Sequence, residues 1–255
     1  MRKKTLLVIV GTALLLVAGL VLSQECRSAP EPEAKPTAAA KAPEGATTTE
    51  AKLDPSEKLA PIPIKLPKPL FSGTPKNIAP RPTLEKFQDK RGPFLAPEGT
   101  VNLALNKPVT SSDKEPIIGE SKLVNDNDKE GTDGSFVEYG PGLQWIQIDL
   151  GAKSVLYAFL ISHYHMEARV YHDVVIQVAD DPDFIKDVQT VFNNDFDNSS
   201  GLGIGKDREY IEASIGKLID AKGVKGRYVR LYSKGNTSND QNHYIEVEVF
   251  GKPLK

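Results

Sequence analysis

The chain has 255 residues, with 32 Lys and Arg against 34 Asp and Glu, and a single cysteine. One cysteine excludes an internal disulfide, and the slightly acidic balance argues against a nucleic-acid-binding protein. Fourteen of the nineteen prolines fall in residues 1–100, whereas all eight Tyr, the one Trp and all four His fall beyond them, so one folded domain is expected behind a long leader.

In chain order, Arg2, Lys3 and Lys4 precede an uninterrupted apolar run over residues 5–22. This predicts a signal peptide or a single-pass anchor over residues 1–23. In either case the basic end stays in the cytoplasm and the remainder is exported, to the periplasm, the cell surface or the outer side of a membrane. If uncleaved, the segment ties the protein to that membrane. Cys26 follows Gln24 and Glu25, a poor match to a lipoprotein box, and lipidation is not expected.

Residues 24–98 read as a tether rich in Pro, Ala, Glu and Lys, too poor in apolar side chains to offset the entropy of ordering. Within it, residues 61–82 alternate Ile62, Ile64, Leu66, Leu70 and Phe71 with prolines. Proline blocks a helix or a central strand, leaving two readings: a stiff extended spacer, or an arm that docks its apolar residues.

Residues 99–255 carry 17 Lys and Arg against 24 Asp and Glu, a net charge of −7 that suits neutral polar ligands or cations. "WIQIDL" (145–150), "DVVIQVA" (173–179), "RYVRLYS" (227–233) and "YIEVEVFG" (244–251) alternate with period two, and "LYAFLIS" (156–162) is continuously apolar. Gly, Asn and Asp fill the gaps. The pattern predicts an all-β, antiparallel sandwich or barrel. Trp145 falls on the face opposite Ile146, where an edge anchor is the plainer role.

"NLALNKPVTSS" (102–112), "LVNDNDKEG" (123–131), "WIQIDLG" (145–151), "GRYVRLYS" (226–233) and "YIEVEVFG" stand in the order found in the discoidin, or coagulation factor 5/8 type C, family, which the chain resembles over about residues 100–252. The resemblance implies a galactose-binding-like jelly roll, like that of many carbohydrate-binding modules, with its termini at one end and ligand loops at the other. It also implies a structural Ca²⁺ between an acidic loop and the last strand. By position, Asp126 and Asp128 match the loop's acidic pair, Ser135 a hydroxyl ligand and Glu246 the last-strand carboxylate. Asn127 stands where that family commonly has Gly. Four acidic residues in eleven (125–135) fit a hard cation independently, because close carboxylates repel unless solvated or bridged.

"SHYHMEARVYHD" (162–173) holds three of the four histidines and joins two predicted strands, so its side chains are expected to meet solvent. A ligand rim is expected from His163, His165, Arg169, Tyr171 and His172, with Asp195 and Asp197 from the loop 193–207. Aromatic faces, imidazoles and carboxylates match the C–H faces and hydroxyls of a sugar. A transition-metal site would need a third ligand, from His172, Asp173 or His243. No GxSxG, HExxH or phosphate-loop signature is present, so no enzyme is expected. The expectation is an exported, non-catalytic module for a glycan or other extracellular polymer. The alternatives are an envelope module that binds a protein, and a metal-dependent hydrolase.

Overall fold

The computed structural model describes residues 57–70 and 73–254. Every described residue belongs to one compact unit. The predicted export segment and the first part of the tether lie outside the described residues. Among the described residues, no helix is long and apolar enough to cross a membrane.

The described chain forms β1 (Leu59–Pro61), β2 (Leu95–Pro97), β3 (Val101–Asn102), β4 (Val109–Ser111), β5 (Val137–Tyr139), β6 (Gln144–Ser162), β7 (Val175–Ala179), β8 (Gln189–Asn193), β9 (Lys217–Ser233), β10 (Asn242–Tyr244) and β11 (Glu246–Pro253), with one 3₁₀ turn at Ser121–Asn125. Every strand pair is antiparallel. The alternating sequence therefore folds as the all-β antiparallel sandwich that it predicts.

The sandwich is built on a bent hairpin. The first half of β6 pairs with the second half of β9, and its second half with the first half of β9, with the register broken between Asp149 and Ser154. Gly151 sits in that break at φ +84, a conformation that costs a β-carbon-bearing residue dearly. Arg227 grips the Asp149 carboxylate at the same corner with two hydrogen bonds of 2.8 Å. On one side of the corner lie β4, β6, β9, β7 and β8; on the other lie β3, β11, β6 and β9. The space between them is filled by Ile146, Ile148, Phe159, Ile161, Ile176, Val178, Val229, Leu231, Val247 and Val249.

The continuous apolar run in β6 has a specific cause. Leu156, Phe159 and Ile161 enter the inter-sheet core, while Tyr157, Ala158 and Leu160 are buried on the outer face with Phe250, under Ile62, Ile64, Phe94 and Ala96. Of the two readings of the Pro-rich arm, the described residues show the docked one. The β1–β2 ladder and a hydrogen bond from Ile62 N to Phe94 O (3.0 Å) organise the arm over that face. Further on, Ile78 is buried against Val170 and Ile211. Arg81 then clasps Glu209 through two hydrogen bonds of 2.7 Å. Contacts thus run across residue 99, where composition alone places the domain edge. The spaced apolar residues lack a core of their own but cover a sheet face that would otherwise meet water, worth about 1.5–3 kcal/mol for each large side chain fully buried.

Candidate functional site

The stretch 162–173 leaves the end of β6 and enters β7, as its flanking apolar runs require. The expectation that its side chains meet solvent is corrected by the structure. His163, His165, Arg169 and Tyr171 are 0%, 1%, 4% and 1% exposed. Of the five expected rim residues in this stretch, only His172 keeps a half-exposed ring, with Nδ1 3.8 Å from Glu209 Oε1. The physical reason is that the loop folds inward over the end of the core, where distant residues supply polar partners.

Those partners form two branches. In the first, the His163 ring stacks on Tyr171 with centroids 4.2 Å apart. Its Nδ1 lies 3.2 Å from Glu212 Oε2 and 3.3 Å from the Tyr210 hydroxyl. His163 Nε2 and Glu212 Oε1 have no hydrogen-bond partner. In the second, the Tyr171 hydroxyl lies 3.1 Å from His243 Nδ1, and His243 Nε2 lies 3.1 Å from Glu138 Oε2. Burial, then the charge of Arg169, then His163 push the His243 imidazole down to about 3, so it is neutral at physiological pH. A neutral ring facing a carboxylate at Nε2 carries its hydrogen there. Nδ1 therefore accepts from Tyr171, whose hydroxyl in turn accepts from Tyr164 N.

Arg169 lies beneath this second branch. Its guanidinium sits 4.9 Å over the Tyr164 ring, its Nη2 donates to Glu167 Oε2 (2.8 Å), and its carbonyl accepts from Glu212 N (2.8 Å). His165 turns the other way and meets the Lys129 carbonyl at 2.9 Å, through Nε2.

The acidic loop meets the last strand through a hydrogen bond to Glu246. Glu246 is 1% exposed; its Oε2 accepts from Asn127 N (2.8 Å) and its Oε1 has no partner. Burial drives this carboxyl up to about 9, with Glu248 and Asp126 adding to the shift. A buried carboxylate oxygen without a donor, facing an acidic turn, fits a hard cation. Asp126 Oδ1 and Asp128 Oδ1 each accept a backbone hydrogen bond within the turn. Ser135 is buried and donates to Thr132 O (2.9 Å). The turn also has a cation of its own: the Lys129 ammonium lies 2.7 Å from Glu248 Oε2 and donates to Lys65 O of the arm.

Asp195 and Asp197 are brought together with a third acid. Oxygens of Asp173, Asp195 and Asp197 lie within 4.8 Å of one another, an arrangement able to hold a metal ion. Asp195 is fully buried. Burial opposes its ionisation, but hydrogen bonds from Ser200 and Ser199 outweigh this and hold its carboxyl below the usual range. Its first task is to shape the loop. Asp197 is exposed, and Asp173 is partly covered by Ser199 and by Lys234, 3.7 Å away. Phe196, between the two acids of the loop, is 40% exposed.

Sequence reasoning missed Glu212, Glu138 and Tyr210 altogether. Each stands alone in a polar or mixed stretch, and only long-range contact shows that they serve the histidine cluster. The one available signal was Glu212, a carboxylate inside "YIEASIG" where both neighbours are apolar.

No family model and no curated protein matches the sequence. Solved structures do resemble its fold. A family 89 glycoside hydrolase from Clostridium perfringens is 20% identical with a TM-score of 0.45, over 60% of this chain and 15% of that one. A fucose-binding module from Streptococcus pneumoniae is 24% identical with a TM-score of 0.42, over 58% of this chain and 96% of that one. A chitosan-binding module from a Paenibacillus chitosanase/glucanase is 23% identical with a TM-score of 0.40, over 59% of this chain and 98% of that one. The chain thus spans only a small part of the hydrolase but nearly all of either binding module.

Proposed function

We propose that the chain is an exported, non-catalytic module that binds a carbohydrate or similar extracellular polymer at the end of the sandwich where the β6–β7 and β8–β9 loops meet. The observation that carries this reading is the convergence there of Asp173, Asp195 and Asp197 from two loops, beside the exposed ring of Phe196 and the half-exposed ring of His172. Carboxylates accept from sugar hydroxyls, an imidazole can donate or accept, and an open aromatic face suits the C–H face of a sugar ring. In this reading His172 and Asp197 touch the ligand, while His163, His165, Arg169 and Tyr171 support the loop from below.

Ca²⁺ belongs to the proposal as a structural ion. Glu246, Asp126 and Asp128, with Ser135 nearby in sequence, are the groups that would hold it; bound there, it would tie the loop to β11. Attachment to the cell envelope through residues 1–23 is likewise proposed, from the basic and apolar pattern of that segment.

A glycan array probed with the protein, followed by calorimetry on the best hit, tests the reading. Alanine at His172 or Asp197 is expected to weaken binding about tenfold, the loss of one charge-assisted hydrogen bond. An array with no hit would favour an envelope protein as the partner. Unchanged affinity in the double variant would remove this end from consideration.

A further inference from the structure

We infer that a second site, apart from the loop end, takes a small carboxylate-bearing, hydroxylated molecule of the sugar-acid class. It is a cleft of about 340 Å³ between the arm and the start of β9. The arm supplies Glu85, Lys86, Gln88 and Arg91, and the sandwich supplies Tyr210 and Lys217.

Its charge runs against the domain. Three cations, Lys86, Arg91 and Lys217, line the cleft with one carboxylate, Glu85, while the buried Glu212 acts on Arg91 from behind, in a chain whose residues 99–255 carry 24 acids against 17 bases. Lys217 already donates to Glu85 Oε2 (2.5 Å) and Glu212 offsets part of the Arg91 charge, so Lys86 and the remainder on Arg91 carry the excess. Arg91 is held in place rather than free. Its Nη2 donates to the carbonyls of Ile215 and Gly216, and Gly216, at φ +61, makes the turn that presents them. Its Nε and Nη1 are shielded from water and have no hydrogen-bond partner. Burial of the guanidinium is costly and holds it below its usual range despite the charges of Glu212 and Glu85, so an anion in the cleft would offset more of that cost.

The other groups select beyond charge. The Gln88 amide and the Glu85 carboxylate offer partners for hydroxyls. Tyr210 forms part of the wall, with the Lys217 ammonium 5.1 Å from its ring centroid. Its hydroxyl reaches back to His163, so an occupied cleft touches the buried His163–Glu212 pair through one side chain. A bare inorganic anion would use the cations and leave the amide and the acid idle, which is why a hydroxylated carboxylate fits better. The size agrees, since the volume holds a sugar unit but not a chain.

The experiment titrates the intact protein with glucuronate, with glucose and acetate as controls, by NMR. Glucuronate is expected to shift resonances of Tyr210 and residues 85–91, with glucose and acetate much weaker. Arg91→Gln is expected to weaken glucuronate binding about tenfold. Lys86→Glu, at an exposed position that the fold does not need, should weaken it by a smaller factor while melting like the parent. Asp197→Ala, at the loop end, should leave it unchanged, which separates this site from the first. Absence of glucuronate shifts, equal binding of acetate, or undiminished binding in both Arg91→Gln and Lys86→Glu would overturn the assignment.

Discussion

His165 Nε2 donates to the carbonyl of Lys129, 2.9 Å away and 36 residues earlier in the chain. The bond joins the histidine loop to the acidic loop, two places that pattern alone treats as separate. A carbonyl can only accept, so the Nε2 hydrogen is fixed there and the buried imidazole acts as a staple. His165→Ala is therefore expected to lower stability by about 1–3 kcal/mol, since the Lys129 carbonyl loses its donor. A urea melt checks this. An unchanged midpoint would mean that the staple does not hold the acidic loop.

Metal removal should show at Glu246. Without a cation the folded state binds a proton there far more tightly than the unfolded state, with the carboxyl raised from 4.5 to about 9. Stability from this group is then full below 4.5 and falls as pH rises towards 9, by at most about 1.4 kcal/mol per unit. Ca²⁺ would hold the carboxylate ionised and remove that slope. In EDTA at pH 8, Glu246→Gln should melt higher than the parent; with Ca²⁺ the order should reverse. Melting curves that ignore both EDTA and the substitution would count against the ion.

The opposite sign applies to His243, whose folded value falls from 6.5 to about 3. Its contribution is present above 6.5 and is lost as pH falls from there towards 3, again by at most about 1.4 kcal/mol per unit. Comparing His243→Gln with the parent by thermal melts at pH 7, 5 and 4 isolates this group from the carboxylates. The variant should show the flatter profile. Parallel profiles would place the acid sensitivity elsewhere.

The arm can be tested by truncation. A chain beginning at residue 57 keeps the Arg81–Glu209 clasp and the cover over Tyr157, Leu160 and Phe250, whereas one beginning at residue 99 loses both. The shorter chain is expected to be less stable and to bind a hydrophobic dye. Arg81→Ala in the longer chain should cost about 1–3 kcal/mol, because the largely covered Glu209 carboxylate loses its bidentate cation and keeps only Thr83 as a side-chain donor. Equal stability of the two chains would make the docked arm energetically idle.

Much of this protein is legible in one dimension. Period-two stretches such as "WIQIDL" and "RYVRLYS" place Ile146, Ile148, Val229 and Leu231 inward, because side chains on a strand alternate and one face must leave water. The acidic turn and Glu246 could be paired by position. The unbroken run "LYAFLIS" announced burial on two faces but not what covers the second. That cover is the arm, through Ile62, Phe94 and Ala96, and the match is decided by packing between segments about 60 to 100 residues apart.

The histidine cluster shows the same boundary. Composition marks residues 162–173 as polar and aromatic, which suits a rim and a buried network equally. Only tertiary structure brings Glu212, Glu138, Tyr210 and His243 to it and so turns His163 and Tyr171 inward. Burial of a polar side chain is possible wherever partners are present and costly where they are absent. Those partners arrive from across the fold, so the sequence named the groups and the three-dimensional contacts decided which of them meet solvent.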